Sequence, residues 1–553
     1  MDGLRKRGKK GLQKPIFQNA QTVRKKITDV FGGLCRTAEI KENEFCEMQN
    51  CSSAHFPNLA PCKGRKTICS VSGIECIIAP RLIPQQGVTA FTGVAENKFY
   101  YNGEVKLTLS AQQRRRTLVD FNGNILIFPD CKFYSYLDES SGDIAESICG
   151  TVKFRGADDD NANRITFSDG FDDKFAVGDS LTIVCSEAAN STHQTASKYD
   201  RTAEGEIISC MVSRVVSDTV LELRCVDKTG ANVSFVSGEY TEVTVARAMP
   251  ALVVACVANN RVFGADEFGE TIYASKPGDF KNWYAFEGLA SDSWYGNVGT
   301  EGPFTAMACL GSTVVAFKHN YIHQVYGETP SNFAIPKQIA IGCIDGRSIA
   351  EIRGQLYFLS YDGVYVFSGG NPVKVSEALD THWDSGAAGT DGHRYYLSAK
   401  CGEVCELLAY DTERGLWHRE DDFCAVGFFR YNDSVIAASS DGLYELGAGS
   451  VGSWYAVSKK IESGTADRLA AVCIYLRMEM EAGSTVSVFV STDGNGFKRC
   501  ADFTSKSRAV WRVPVRFRSA ESYQIKLAGS GGMRLLALEQ DKYTGARDEA
   551  NRW

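Results

Sequence analysis

One unit recurs along this chain and constrains its fold more than any other feature. It consists of a short apolar strand, a tight turn made from Gly, Asn or Asp, a second apolar strand, another turn, and a strand bearing Tyr or Trp. Copies begin at Thr117 ("TLVDFNGNILIFPDCKFYSYL"), Ala251, Pro303, Ser348 ("SIAEIRGQLYFLSYDGVYVFSGG"), His393 and Ala425 ("AVGFFRYNDSVIAASSDGLYELG"). Apart from one interruption, the starts lie roughly 30 to 55 residues apart, the spacing of four-stranded propeller blades. Asn-Gly and Asp-Gly supply the positive φ that two-residue hairpins require. Such a unit cannot bury both of its faces alone and needs neighbours on either side. The pattern therefore predicts an all-β chain whose main body is one closed β-propeller of about six blades.

Two other textures flank and interrupt the repeat. "RITFSDGFDDKFAVGDSLTIVCSEAANSTHQTASKYD" followed by "GEIISCMVSRVVSDTVLELRCVD" reads as a small β-barrel inserted between blades. From about Trp454 the strands lengthen and alternate ("STVSVFVST", "SYQIKLAG"), which predicts an antiparallel β-sandwich. The expected partition is 1–70 as a basic arm and extended segment, 71–148 as the first part of the propeller, 149–240 as the inserted barrel, 241–453 as the rest of the propeller, and 454–553 as the sandwich.

The repeated Ser-x-Asp-Gly at Ser360 and Ser439 could signal a sialidase-like Asp box or a calcium loop. Neither Asp362 nor Asp441 is followed by Gly-x-Thr-Trp, and neither stands in a dense acidic string. A hairpin turn is the better reading, as it is for "STDGNGF" (Ser491 to Phe497). "GADDDNAN" (Gly156 to Asn163) offers acids for a cation, but its spacing does not match a calcium loop and a solvated turn is the better reading. The chain holds 19 cysteines, an odd number, with no Cys-x-x-Cys. Many lie inside apolar strands ("LELRCV", "VVACVA", "AAVCIY"), where Cys acts as a small hydrophobe. They are expected to be mostly unpaired and without metal. No signal-peptide h-region follows the N-terminus, so folding in a reducing cytoplasm is expected.

Catalytic signatures are missing: no G-x-S-x-G, P-loop, H-E-x-x-H or dinucleotide fingerprint occurs. The expectation is a protein that is not an enzyme and carries no cofactor or metal. A propeller glycosidase with acids on distant loops is the least favoured alternative. The formal net charge is −7, so the whole molecule is not a basic nucleic-acid binder. The first 26 residues differ: Arg5, Lys6, Arg7, Lys9, Lys10, Lys14, Arg24, Lys25 and Lys26 stand against one acid, Asp2. Leu12, Ile16 and Phe17 add apolar anchors. These residues, with Ile16 and Phe17 as the anchoring pair, are the candidate contacts for assembly or DNA, and docking on a neighbouring subunit is favoured over DNA.

"DVFGGLCRTAEIKENEFCEMQNCSSAHFPNLAPCKGR" (Asp29 to Arg65) resembles the opening of structural proteins of phages and prophages of Gram-positive gut bacteria. The matching positions are Glu44, Phe45, Met48, Asn50, Ser52, Ser53, Pro57, Leu59, Ala60, Pro61 and Arg65. "IYASKPGDFKNWYAF" (Ile272 to Phe286) with "GCIDGRSIAEIRGQLYFLSYDGVYVFSGG" is similar to the propeller of tail nozzle and packaged-DNA stabilisation proteins of short-tailed phages. The resemblance implies a virion component assembled in the host bacterial cytoplasm as a homo-oligomeric ring. Such a ring would extend or close the DNA exit channel, with portal, adaptor or tail proteins as partners. DNA would pass through without sequence-specific binding. The main rival is a tail-tip module that binds a receptor or glycan through the C-terminal sandwich.

Overall fold

Each recurring unit closes as a four-stranded antiparallel sheet in the computed structural model. The structure describes residues 22–80, 87–157, 162–172, 174–185, 209–226, 231–235, 237–336, 338–462, 469–504 and 509–543. Two compact units emerge: one combines the N-terminal 62 residues with Val451–Trp553, and the other is Lys63–Ser450.

The larger unit is a propeller of seven blades rather than about six: 74–108, 117–143, 252–297, 304–339, 350–374, 385–419, and 427–445 completed by Lys66–Ser70. Neighbouring blades bury apolar clusters between them all the way round. Val94, Phe99 and Ile127 join blades 1 and 2, Phe121, Leu252 and Trp283 join 2 and 3, and Phe263 and Val314 join 3 and 4. Phe317 and Phe358 join 4 and 5. The rings of Tyr357 and Tyr395, 5.6 Å apart, join 5 and 6. Tyr396 and Val435 join 6 and 7, and Ile74, Phe91 and Leu443 close the circle between 7 and 1. The additional blade is the first. Its opening strand, Ile74–Ile77, is separated from the next, Gly93–Ala95, by a connection holding two prolines, so the pattern is broken there.

Blade 7 is finished by a strand from the other end of the unit. Lys66–Ser70 lies antiparallel to Gly442–Glu445, with Ser70 opposite Gly442 and Lys66 opposite Glu445. Gly442 is required here: a Cβ on it would sit 2.4 Å from the Cys69 carbonyl oxygen. The turn chemistry follows the expectation, since Asn122 and Gly123 have φ of 48° and 86° between two paired strands.

The insertion occupies 147–247, wider than the expected 149–240. Its six strands run in the order 181–185, 238–247, 147–155, 163–167, 220–226, 209–217. A bridge between Ser180 and Met211 brings the two edge strands together, making a small barrel around Phe154, Phe167, Ile183, Val212 and Leu223. The last strand extends to Arg247 because that residue ties the insertion to its base. Its guanidinium pairs with buried Asp179 at 2.9 Å and donates to the Ile144 and Lys174 carbonyls.

The smaller unit is an antiparallel sandwich. One sheet holds Thr22–Thr28, Met533–Tyr543, Leu469–Met480 and Ala509–Ala520; the other runs through Phe45–Gln49, Ser453–Ser458, Ser522–Ser530, Thr485–Thr492 and Lys498–Thr504. Ring pairs such as Phe503 with Trp511, at 4.4 Å, lie between the sheets. The expected extended segment 1–70 is thereby corrected. It contributes an edge strand to each sandwich sheet and, further on, the closing strand of the propeller. Long-range pairing set these elements, and no local pattern announces a partner hundreds of residues away.

Candidate functional site

The predicted basic contacts divide into two groups. Arg5, Lys6, Arg7, Lys9, Lys10, Lys14, Ile16 and Phe17 lie outside the described residues. Arg24, Lys25 and Lys26 belong to the sandwich strand Thr22–Thr28, opposite Asp541, Gln540 and Glu539. Lys25 is ion-paired with Glu42, and Lys26 donates to Asp29 at 2.7 Å. The arm is therefore shorter than 26 residues, and its last two lysines have local partners. Lysines along an edge strand also discourage pairing with another chain.

Both Ser-x-Asp-Gly stretches are turns between the second and third strands of a blade. In each, the carboxylate accepts a hydrogen bond from a tyrosine three residues on: Tyr365 to Asp362 at 2.9 Å, Tyr444 to Asp441 at 3.0 Å. The repeat is a turn that pins its own third strand. Asn163, in the other acidic stretch, is buried. Its Oδ1 accepts from the Ala157 and Phe235 amides, and its Nδ2 donates to the Val233 carbonyl.

Sixteen described cysteines form no disulfide, and one disulfide joins Cys405 to Cys424. Cys401, the cysteine closest in sequence to Cys405, is not its partner. The loop after the fourth strand of blade 6 runs back alongside the third, as the Leu407 amide bond to the Asp421 carbonyl shows, and carries Cys424 to Cys405. Burial pushes the Cys51 and Cys343 thiols up to about 12, so neither is a ready nucleophile. Among the described residues no group of three or more His, Cys, Asp and Glu side chains is placed to hold a metal ion.

The most concentrated polar constellation is one that the sequence reading did not single out: Arg114, Arg115 and Arg116, directly before the inner strand of blade 2. Arg114 pairs with Glu267 of blade 3 at 2.8 Å. Arg116 is buried, binds Asp130 through both of its oxygens at 2.7 and 3.2 Å, and reaches Glu75 of blade 1. Arg115 donates at 2.8 Å to Asp345, which stands at the entrance to blade 5. Blades 2 and 5 are not neighbours on either side, so this pair crosses the axial space. Asp345 also receives Arg347 and, at 3.3 Å, the Gly386 amide of blade 6. Burial works to raise the Asp345 carboxyl; Arg347 and Arg115 outweigh it and hold the group below its ordinary value. The signal was present in the sequence as three consecutive arginines in an acidic protein. These groups are matched to one another, and the arrangement acts as a cross-tie.

Buried ionisable groups elsewhere have the same character. Lys318 donates to the Gly269 and Thr300 carbonyls at 2.5 Å each. His418 and His323 are both 1% exposed. Burial first, then Arg394, lowers His418 to about 3; burial first, then Lys318, lowers His323 to about 4. Both histidines fold neutral, so their contribution is complete above the unfolded value near 6.5 and is lost as pH falls below it. By pH 4 the loss is about 3 kcal/mol for each. Half-buried Glu420, pushed up to about 7 by burial, acts oppositely between pH 4.5 and 7. Thermal scans from pH 7 to 4 should show stability falling in the acid range, and a His418→Gln variant should show a shallower fall.

No protein-family model matches the chain, and no curated protein matches it. Among solved structures it is similar to the exo-β-1,3-galactanase of Phanerochaete chrysosporium, at 10% identity over 59% of this chain and 100% of that one, with a TM-score of 0.22. Hsv2 of Kluyveromyces marxianus gives 10% over 56% and 96%, TM-score 0.21. Hydrazine synthase of Kuenenia stuttgartiensis gives 11% over 48% and 67%, TM-score 0.25. Similarity at this level carries no functional argument, and the fold rests on the sheet topology itself.

Proposed function

We propose that this chain is a non-catalytic structural component of a phage particle, assembled as a ring that extends or closes the DNA exit channel. The observation that carries the reading is the cross-tied axis: Arg115 of blade 2 holds Asp345 of blade 5. A passage for DNA is then formed between copies of the chain and not along a propeller axis. The resemblance of Asp29–Arg65 and Ile272–Phe286 to phage structural proteins points the same way. In the second stretch, Asp279 caps the turn by accepting from the Lys281 amide and the Asn282 side chain, while Trp283 is fully buried. That stretch serves as architecture, as a scaffold requires. Portal, adaptor or tail proteins are the partners this role calls for, and DNA would pass without sequence-specific contact.

Negative-stain imaging and mass photometry of the purified chain test the proposal. Closed rings with a lumen wide enough for duplex DNA are the expected result. A monomer at every concentration, with its propeller intact, would overturn it.

A further inference from the structure

We infer that blade 3 carries a binding cleft for a neutral saccharide. The connection between its third and fourth strands, Thr271–Ala274 and Trp294–Asn297, is long, and two buried charged residues fix it from beneath. The Arg261 guanidinium, 2% exposed as a residue, donates to the carbonyls of Ser275, Ala290 and Asp292. Asp292, 4% exposed, accepts the amides of Glu287, Gly288 and Leu289 on Oδ2 at 2.6, 2.6 and 2.9 Å. Across the cleft, Asn332 holds the blade 4 loop by accepting the Glu328 and Thr329 amides. Both walls are thus set before any ligand arrives, which lowers the ordering cost of binding.

What these walls present is aromatic. Phe286 is 41% exposed and Tyr295 54%, and their rings meet edge to face at 5.6 Å. With Leu289, Trp294 and Ser331 they line an open cleft of about 450 Å³, within the range of small-molecule sites and lined as such sites are. Large rings left in water on a rigid loop mark a place where something lies against them.

The polar groups select among occupants. Asp292 also lines the cleft, and its Oδ1, buried beneath the cleft surface, has no hydrogen-bond partner. A carboxylate oxygen only accepts, so it calls for a hydroxyl or amine donor. Glu287 stands on the same loop, paired with Arg224 at 3.6 Å. Among the described residues, no Lys or Arg side chain lines the cleft to hold a phosphate or carboxylate ligand. A folded protein partner needs about 800 Å² on each side, far more than this cleft offers. A neutral sugar satisfies each condition: its C–H face stacks on an aromatic ring, and its hydroxyls donate to acid oxygens.

The test uses the full chain with three neutral probes, the trimers of β-1,4-linked N-acetylglucosamine, α-1,4-linked glucose and α-linked mannose. Saturation-transfer NMR should detect at least one of them, with a Kd near 1 mM or below. Phe286→Ala and Tyr295→Ala should each weaken that binding about tenfold with only a small fall in the thermal midpoint, because both side chains are about half exposed. A sialylated trisaccharide should not bind. The inference is overturned if no neutral probe binds, if binding is unchanged in the Phe286→Ala/Tyr295→Ala double variant, or if the sialylated sugar binds equally well. None of these outcomes depends on ring assembly.

Discussion

Replacing Arg116 with methionine should lower the thermal midpoint of the propeller by about 5 °C. The guanidinium side chain is 1% exposed and its partner Asp130 is 2% exposed. In the native protein Arg116 also receives Glu75, Asn97 and the Ser110 carbonyl as acceptors. Methionine fills much of the same volume but leaves the Asp130 carboxylate buried and unpaired. Breaking one side of a buried pair costs about 3–5 kcal/mol. In a unit spanning Lys63–Ser450 each kcal/mol moves the midpoint by about 1–1.5 °C. Arg115→Ala is the control on the same turn. Its side chain is 65% exposed, and Asp345 keeps Arg347, so the loss should stay below about 1 kcal/mol. An Arg116→Met/Asp130→Leu double variant removes both charges together and should recover most of the stability. Differential scanning calorimetry on the four proteins decides the matter. A single Arg116→Met variant as stable as the parent would mean the arginine turn does not hold the blades.

How far the sequence reveals this fold depends on how far apart the interacting residues are. Blades 2 to 7 are visible because each hairpin writes its own turn: Asn122-Gly123, Asp362-Gly363 and Asp441-Gly442 sit between strands that pair within a few residues. Blade 1 is less visible because Pro80 and Pro84 fall in the connection that follows its first strand. The strands at Thr22–Thr28, Phe45–Gln49 and Lys66–Ser70 pair with segments far along the chain, and "TVRKKIT" places its buried Ile27 directly after two lysines. The cross-tie is hidden for the same reason. Arg115 and Asp345 are 230 positions apart, and only the closed ring makes them neighbours. Similarly, Phe286 and Tyr295 are ordinary aromatics in sequence and become a paired wall only because Arg261 and Asp292 fold the loop between them.

Truncation from the N-terminus should separate three roles that lie end to end. Deleting residues 1–21 removes six cations, Arg5, Lys6, Arg7, Lys9, Lys10 and Lys14, with the apolar Leu12, Ile16 and Phe17, and leaves every described strand in place. An extended segment of that length spans at most about 70 Å, enough to reach a neighbouring subunit. The shortened chain should keep its thermal midpoint and remain a monomer where the full chain forms rings. Deleting residues 1–26 goes further, because it removes most of the edge strand paired with Met533–Tyr543 and leaves the backbone groups of that strand unpaired. A lower midpoint for the sandwich should then accompany the assembly defect. Deleting residues 1–70 takes away the strand that closes blade 7, together with the 2.6 Å pair between Arg65 and Asp421. Gly442–Glu445 then becomes an open edge, and the propeller should lose cooperative unfolding and aggregate. Size-exclusion chromatography and thermal scans distinguish the three deletions. Normal rings from the chain lacking residues 1–21 would show that the basic segment has no part in assembly, while the fold argument for the other two deletions would stand.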